Sequence, residues 1–256
     1  MTNPSLSALP RKRNLAWLWP FAGGLSLLLL WSGIIVIGEV RPFIAPAPWD
    51  VAVEIWKNRL LLVQNFWPTL LEAVAGFICG NLAAISVAVV FVHFQRVQKM
   101  YLPIAVLFNT IPVIALAPIL ILIFGINVTP KIIIASLVCF FPTLVNMIRG
   151  LEAYTRSEME LMRLMSASKL EIFLRLRLPR SLPYLFSALR ISCTSCVIGA
   201  IVGEWIGSTM GIGSLIIQAT FNYRSGLLYA AICMSSALAL SLFAAVIASE
   251  KKFLRW

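Results

Sequence analysis

Six long apolar runs constrain this chain more than anything else in it: residues 15–38, 70–94, 102–124, 132–148, 183–206 and 227–249, the first without a single charge. A bilayer core about 30 Å thick is crossed by about 20 helical residues, and only helices or closed barrels satisfy their backbone polar groups inside it. Runs of this length predict an all-α polytopic membrane protein of about six transmembrane helices, with residues 1–256 forming one membrane domain. Composition agrees, since 60% of the residues are hydrophobic and only 12% charged. That leaves too little polar surface to cover a soluble domain. The first run is too long for a secretory signal, and the small-residue site at 45–47 is followed by Pro48, so it is read as a retained helix.

The remaining charge is lopsided at +11. With the N-terminus inside, fifteen of the 21 cations fall on cytoplasmic segments, and Arg41, Lys57, Arg59, Lys131 and Arg224 fall outside, with Arg190 inside the fifth run. Basic residues concentrate in cytoplasmic loops, so both termini are placed in the cytoplasm. The basic excess is thus topological, and no nucleic-acid partner is inferred.

Residues 39–67 differ in kind. Pro42, Pro46 and Pro48 exclude regular helix at their start. Asp50 can then cap an amphipathic helix over 50–64 on the outer surface, with Val51, Ile55, Trp56, Leu60 and Val63 at helical spacing. In the second run Gly76, Gly80 and Ala84 repeat every fourth residue, a stripe that lets a neighbouring helix approach closely. Glu72 lies one turn before Gly76. It either faces the bundle or reaches water at the rim, and the residues leave both readings open. Pro103, Pro112 and Pro118 force the third run to kink or open, and Pro142 does so in the fourth. The polar side chains Asn109 and Asn146 lie on these interrupted runs. Glu72, Asn109, Asn146 and Glu204 are the pathway candidates. Cys193 and Cys196 form a C-x-x-C inside an apolar run and read as small hydrophobes, and His93 as an interfacial side chain.

The segment over 149–182 is basic and unlike lipid-embedded sequence. Thr155-x-x-Glu158 and Ser168-x-x-Glu171 have the form of capping boxes and predict helices over 156–165 and 169–178. Met159, Leu161, Met162, Leu164 and Met165 make the first unusually apolar, which suits either docking of a soluble partner or packing under the span ends.

Glu160-Leu161-Met162-x-x-x-Ser166, then nine residues, then Leu176-Arg177-Leu178-Pro179 resembles the E-A-A-x-x-x-G-x(9)-I-x-L-P loop of ABC importer permeases. The following 181–190 stretch, Ala117-Pro118-Ile119-Leu120, Phe140-Phe141-Pro142 and Gly211-Ile212-Gly213 are similar to stretches of the nitrate, sulfonate, taurine and pyrimidine-precursor group. The resemblance runs from about residue 44 to the C-terminus. Leu161 and Met162 stand where the motif has alanines, and Ser166 where it has glycine. A left-handed turn at Ser166 costs about 1 to 2 kcal/mol that glycine would not incur.

The resemblance implies a type I ABC importer permease fold in a bacterial cytoplasmic (inner) membrane. It places the contact with an ATPase subunit at Glu158, Glu160, Leu161, Met162, Arg163, Met165, Ser166, Ala167 and Ser168. It implies as partners two copies of the ATPase, a second permease copy as homodimer, and an extracytoplasmic binding protein that delivers the solute. The chain has no G-x-x-x-x-G-K-[ST], and the Gly-rich 207–213 stretch lacks the lysine, so no enzyme activity and no cofactor are expected here; ATP and Mg belong to the partner. A secondary transporter or channel should carry more buried ionisable residues than Glu72, Arg190 and Glu204. The 202–207 and 69–72 stretches look more like permeases for thiamine pyrimidine precursors or riboflavin than like the nitrate, sulfonate and taurine branch, which is the alternative. Arg190 as sole buried cation fits an anionic solute poorly.

Overall fold

The computed structural model describes residues 18–253, which contain no strand. Helix α1 (Leu18–Ile37) is followed by α2 (Pro48–Lys57), α3 (Arg59–His93), α4 (Gln95–Asn109), α5 (Val113–Phe124) and α6 (Val128–Leu151). Then come α7 (Arg156–Leu164), α8 (Lys169–Ile172), a π-turn (Phe173–Arg177), α9 (Leu178–Glu204), α10 (Ile212–Phe221) and α11 (Ser225–Phe253).

The core is a trio, α3, α6 and α9. Their backbones come close because small residues meet at one level. A Cβ on Gly76 or Gly80 would overlap Ala135 or Ser136 of α6, and one on Gly199 would sit 2.8 Å from the Ala135 Cα on the other side. Gly76, Gly80 and Ala84 are all buried, as a stripe facing α6 requires. Without a hydrophobic force separating helix from lipid, such close approach supplies the packing that holds the helices together. Helix α11 closes a second side and stacks Tyr229 on Trp31 of α1, ring centroids 5.9 Å apart.

Among the described residues four continuous helices are long and apolar enough to cross a membrane, and a fifth is reached if α4 and α5, bent by 98°, form one broken span. The third predicted span, expected to kink or open at its prolines, opens into two helices. The break at 110–112 comes where Pro112 has no N–H to continue the ladder, and Pro112 becomes the residue preceding α5. Of the first predicted span, 15–17 lie outside the described residues. The described part, α1, rises about 30 Å, the lower limit for crossing.

The outer helix predicted over 50–64 is also corrected. It starts two residues earlier, with Ala47 as cap, Pro48 in the first turn and Asp50 inside that turn. It stops at Lys57 because the Asn58 side chain donates to the Glu54 carbonyl (3.0 Å) and carboxylate (2.7 Å), competing with the helical pattern. Residues 59–64 instead open α3, which continues unbroken for 35 residues.

The predicted helix over 169–178 does not stand alone. It passes through the π-turn into α9, so that 169–204 is one 36-residue run. Widening at the π-turn gives Leu178 N–H the Phe173 carbonyl just before Pro179, which has no N–H to donate.

Candidate functional site

At one end of the bundle, 152–182 folds as two capped helices around a tight turn. Thr155 Oγ1 accepts from the Glu158 N–H (3.2 Å), and Glu158 Oε2 accepts from the Thr155 N–H (2.8 Å). Ser168 and Glu171 repeat the arrangement. Both capping boxes close because each hydroxyl and carboxylate satisfies an N–H that the first helical turn leaves free. Glu158 also pairs with Arg180, tying α7 to the start of α9. The Thr155 backbone N–H, and after it Arg180, hold the Glu158 carboxyl below the usual carboxylate range.

Ser166 carries φ +53°. Its N–H donates to the Arg163 carbonyl (2.9 Å) and the Ala167 N–H to the Met162 carbonyl (3.0 Å). This pairing ends a helix on a left-handed residue, the position where glycine is free of strain. Serine at this position is therefore held in a left-handed conformation that glycine would adopt without strain. The turn leaves Leu161, Leu164 and Met165 exposed, 83% for Leu164. Glu160 is exposed and pairs with Arg156 at 2.9 Å. Behind the loop Arg177 lies over the Tyr154 ring, 5.1 Å from its centroid.

The other end holds a buried polar cluster. Asn65, Thr69 and Glu72 recur on one face of α3 and are all buried. Opposite them α10 begins, and its first N–H groups have no partners within the helix. Gly211 N–H donates to Asn65 Oδ1 (2.8 Å), Ile212 N–H to Thr69 Oγ1 (2.8 Å) and Gly213 N–H to Glu204 Oε2 (2.5 Å). The Thr69 hydroxyl in turn donates to Glu204 Oε1 at 2.6 Å. A carboxylate at a helix N-terminus also meets the positive end of its dipole. Gly211 carries φ +118°, and a Cβ there would overlap the Glu204 carboxylate, so only glycine fits this turn.

Beside this cap, Lys131 Nζ donates to Glu72 Oε1 and to Ser208 Oγ, both at 2.8 Å. Lys131, counted from the sequence with the outer cations, is thus a half-buried helix residue with its side chain 13% exposed. Arg190, expected from the sequence to be the sole buried cation, is instead 38% exposed in its side chain, and it too is paired, with Glu250 at 2.7 Å. Midway along the trio, Thr143 donates to Asn81 Oδ1 (2.6 Å) and meets Ser192 at 2.9 Å, joining all three helices.

Of the pathway candidates, Glu72 and Glu204 come together around Thr69, and Glu72 faces inward rather than the rim. Asn109 and Asn146 lie elsewhere. Asn109 is exposed at the end of α4, on an apolar cavity of about 460 Å³ beside Phe108 and Phe141. Asn146 donates to the Pro142 carbonyl within its own helix (2.8 Å). Lys131, Asn65 and Ser208 were not singled out from sequence. A lysine immediately before the 132–148 apolar run was the available signal, but only the register of α6 against α3 decides that it meets Glu72.

The sequence profile of the binding-protein-dependent transport system inner membrane component matches residues 80–255. A probable ABC transporter permease protein of Haemophilus influenzae is 33% identical over 85% of this chain and 89% of its own. The formylaminopyrimidine transport permease protein ThiX of Halalkalibacterium halodurans is 33% identical over 96% and 98%. The riboflavin transport system permease protein RibX of Chloroflexus aurantiacus is 28% identical over 100% and 98%. Among solved structures, an inward-facing MetNI methionine ABC transporter chain superposes with TM-score 0.68 at 20% identity, covering 77% of this chain and 97% of that one. The chain belongs to the binding-protein-dependent transport system inner membrane components, as a multi-pass ABC importer permease of the bacterial cytoplasmic membrane.

Proposed function

We propose that this permease forms, as a homodimer, the translocation pathway for a small heteroaromatic solute handed over by an extracytoplasmic binding protein. Residues 158–168 couple it to two ATPase subunits, which supply ATP and Mg; this chain hydrolyses nothing and holds no cofactor. Both termini and the 152–182 loop face the cytoplasm. The observation that carries the coupling is the exposed Leu161, Leu164 and Met165 on a helix fixed by a capping box and an Arg180 tie. Apolar side chains held rigidly in water gain most from burial in a partner's groove. Co-purification with the ATPase tests it: the exposed-site variant Leu161→Asp with Met165→Asp should lose the ATPase while keeping its size-exclusion profile. Undiminished capture would overturn the assignment.

For the solute, the reading favours a thiamine pyrimidine precursor or a riboflavin-like ring. ThiX and RibX are 33% and 28% identical, against 24% and 22% for the sulfonate and taurine permeases SsuC and TauC over similar lengths. Lys131, half-buried, and Arg190, more exposed, are both paired with glutamates, leaving neither free for an anionic solute. Thermal shift of the partner binding protein against pyrimidines, flavins, nitrate, sulfonates and taurine decides it. A shift with a pyrimidine or flavin is expected, and one with an anion alone would overturn this preference.

A further inference from the structure

A cavity of about 770 Å³ opens where the α3–α4 junction meets the 152–182 loop. Four cations line it, Arg96, Arg163, Lys169 and Arg177, and no carboxylate does. The nearby carboxylates are engaged elsewhere: Glu158 with Arg180, Glu160 with Arg156, and Glu171 with the Ser168 cap. Among the described residues, the side chains of Arg96, Arg163 and Lys169 have neither an ion-pair nor a hydrogen-bond partner. Arg177 is held in place by Tyr154 and by the Val92 carbonyl at 3.5 Å. Arg96, Arg163 and Lys169 are exposed and Arg177 is half-buried, and four positive charges around one open space are complementary to a multiply hydrogen-bonding anion.

The rest of the wall narrows the class. Val97, Ile172 and Phe173 are apolar, and Gln95 is shared with a groove of about 360 Å³ that follows α4 past Lys99 to Leu102 and Pro103. A charged chamber that continues past Gln98 and Lys99 to the apolar Leu102 and Pro103 on a membrane helix matches a phosphodiester headgroup with an acyl chain attached. Basic pockets at the cytoplasmic interface are suited to such headgroups.

We propose that this cavity is a binding site for an anionic phospholipid, which bridges the α3–α4 junction and the coupling loop. The lipid's phosphate sits among Arg96, Arg163 and Lys169, and one chain follows the α4 groove. In this position it links the loop to the membrane core through Arg163, a residue of the coupling segment, so loss of anionic lipid weakens coupling. The assignment rests on the proposed cytoplasmic orientation of the loop, which cysteine-accessibility labelling at Ser157 reads independently.

Native mass spectrometry of the full chain in detergent, with phosphatidylglycerol and phosphatidylcholine added in equal amount, tests the site. Phosphatidylglycerol should be retained in preference, and Arg96→Gln with Lys169→Gln should weaken it by about fivefold per cation removed. The charge-conserving pair Arg96→Lys with Lys169→Arg should keep the preference, which separates lost charge from lost folding. Millimolar inorganic phosphate should not displace the lipid. Equal retention of both lipids, or an unchanged preference in the Gln pair, would overturn the proposal. Displacement by phosphate would assign the cavity to a free anion and overturn it too. So would a Gln pair that loses the ATPase while keeping the lipid, because the cations would then belong to the protein interface.

Discussion

At Ser166 a single side chain is held against its backbone preference, at φ +53°. Replacing it with glycine removes the Cβ from a left-handed position, so Ser166→Gly should stabilise the loop by about 1 kcal/mol, read as a raised midpoint in denaturant unfolding. The Lys131–Glu72 pair makes the opposite case. Lys131→Met leaves a buried carboxylate unpaired and should cost about 3 to 5 kcal/mol, while Lys131→Met with Glu72→Leu should recover most of that loss. A thermal unfolding series over the singles and the double checks it. Glu158 gives a pH prediction. Its folded pKa is depressed below the ordinary value of 4.5, so its stabilisation of α7 is present above about 4.5 and is lost as pH falls through the folded value. Amide exchange at the start of α7 should stay slow at neutral pH and accelerate only in acid.

At the scale of elements, the trio of α3, α6 and α9 depends on close approach at Ala135, flanked by Gly76 and Gly199. Gly76→Leu has no space on that face and should destabilise by at least about 1 to 3 kcal/mol or abolish expression. Gly23→Leu on α1, where nothing lies within 4 Å of the added Cβ, should leave thermal stability unchanged. The small-residue stripe on α3 was legible because a four-residue repeat on a helix marks a packing face whatever the partner is. The break between α4 and α5 was half legible, since prolines announce an interruption but not its angle. The π-turn and the continuity of 169–204 were not. A capping box marks where a helix starts, and nothing local says that Pro179 will be absorbed by a widened turn rather than end the helix.

For the whole molecule, the positive-inside reading and the coupling proposal stand or fall together, since both put the 152–182 loop in the cytoplasm. Accessibility labelling of single cysteines should modify Ser157→Cys from the cytoplasmic side and Thr209→Cys from the outer side. The reverse pattern would remove the loop from ATP-driven chemistry. By itself the sequence determined that the chain is helical and membrane-embedded, because apolar length and the lack of water for backbone groups leave no other solution. It also determined the two loop helix starts, because capping is a contact between residues three apart. Only the tertiary structure decided that Lys131 lies against Glu72, that Asn65, Thr69 and Glu204 cap α10, and that four cations surround one cavity. Those contacts join residues distant along the chain, and their pairing is set by how three helices settle against one another around a few glycines.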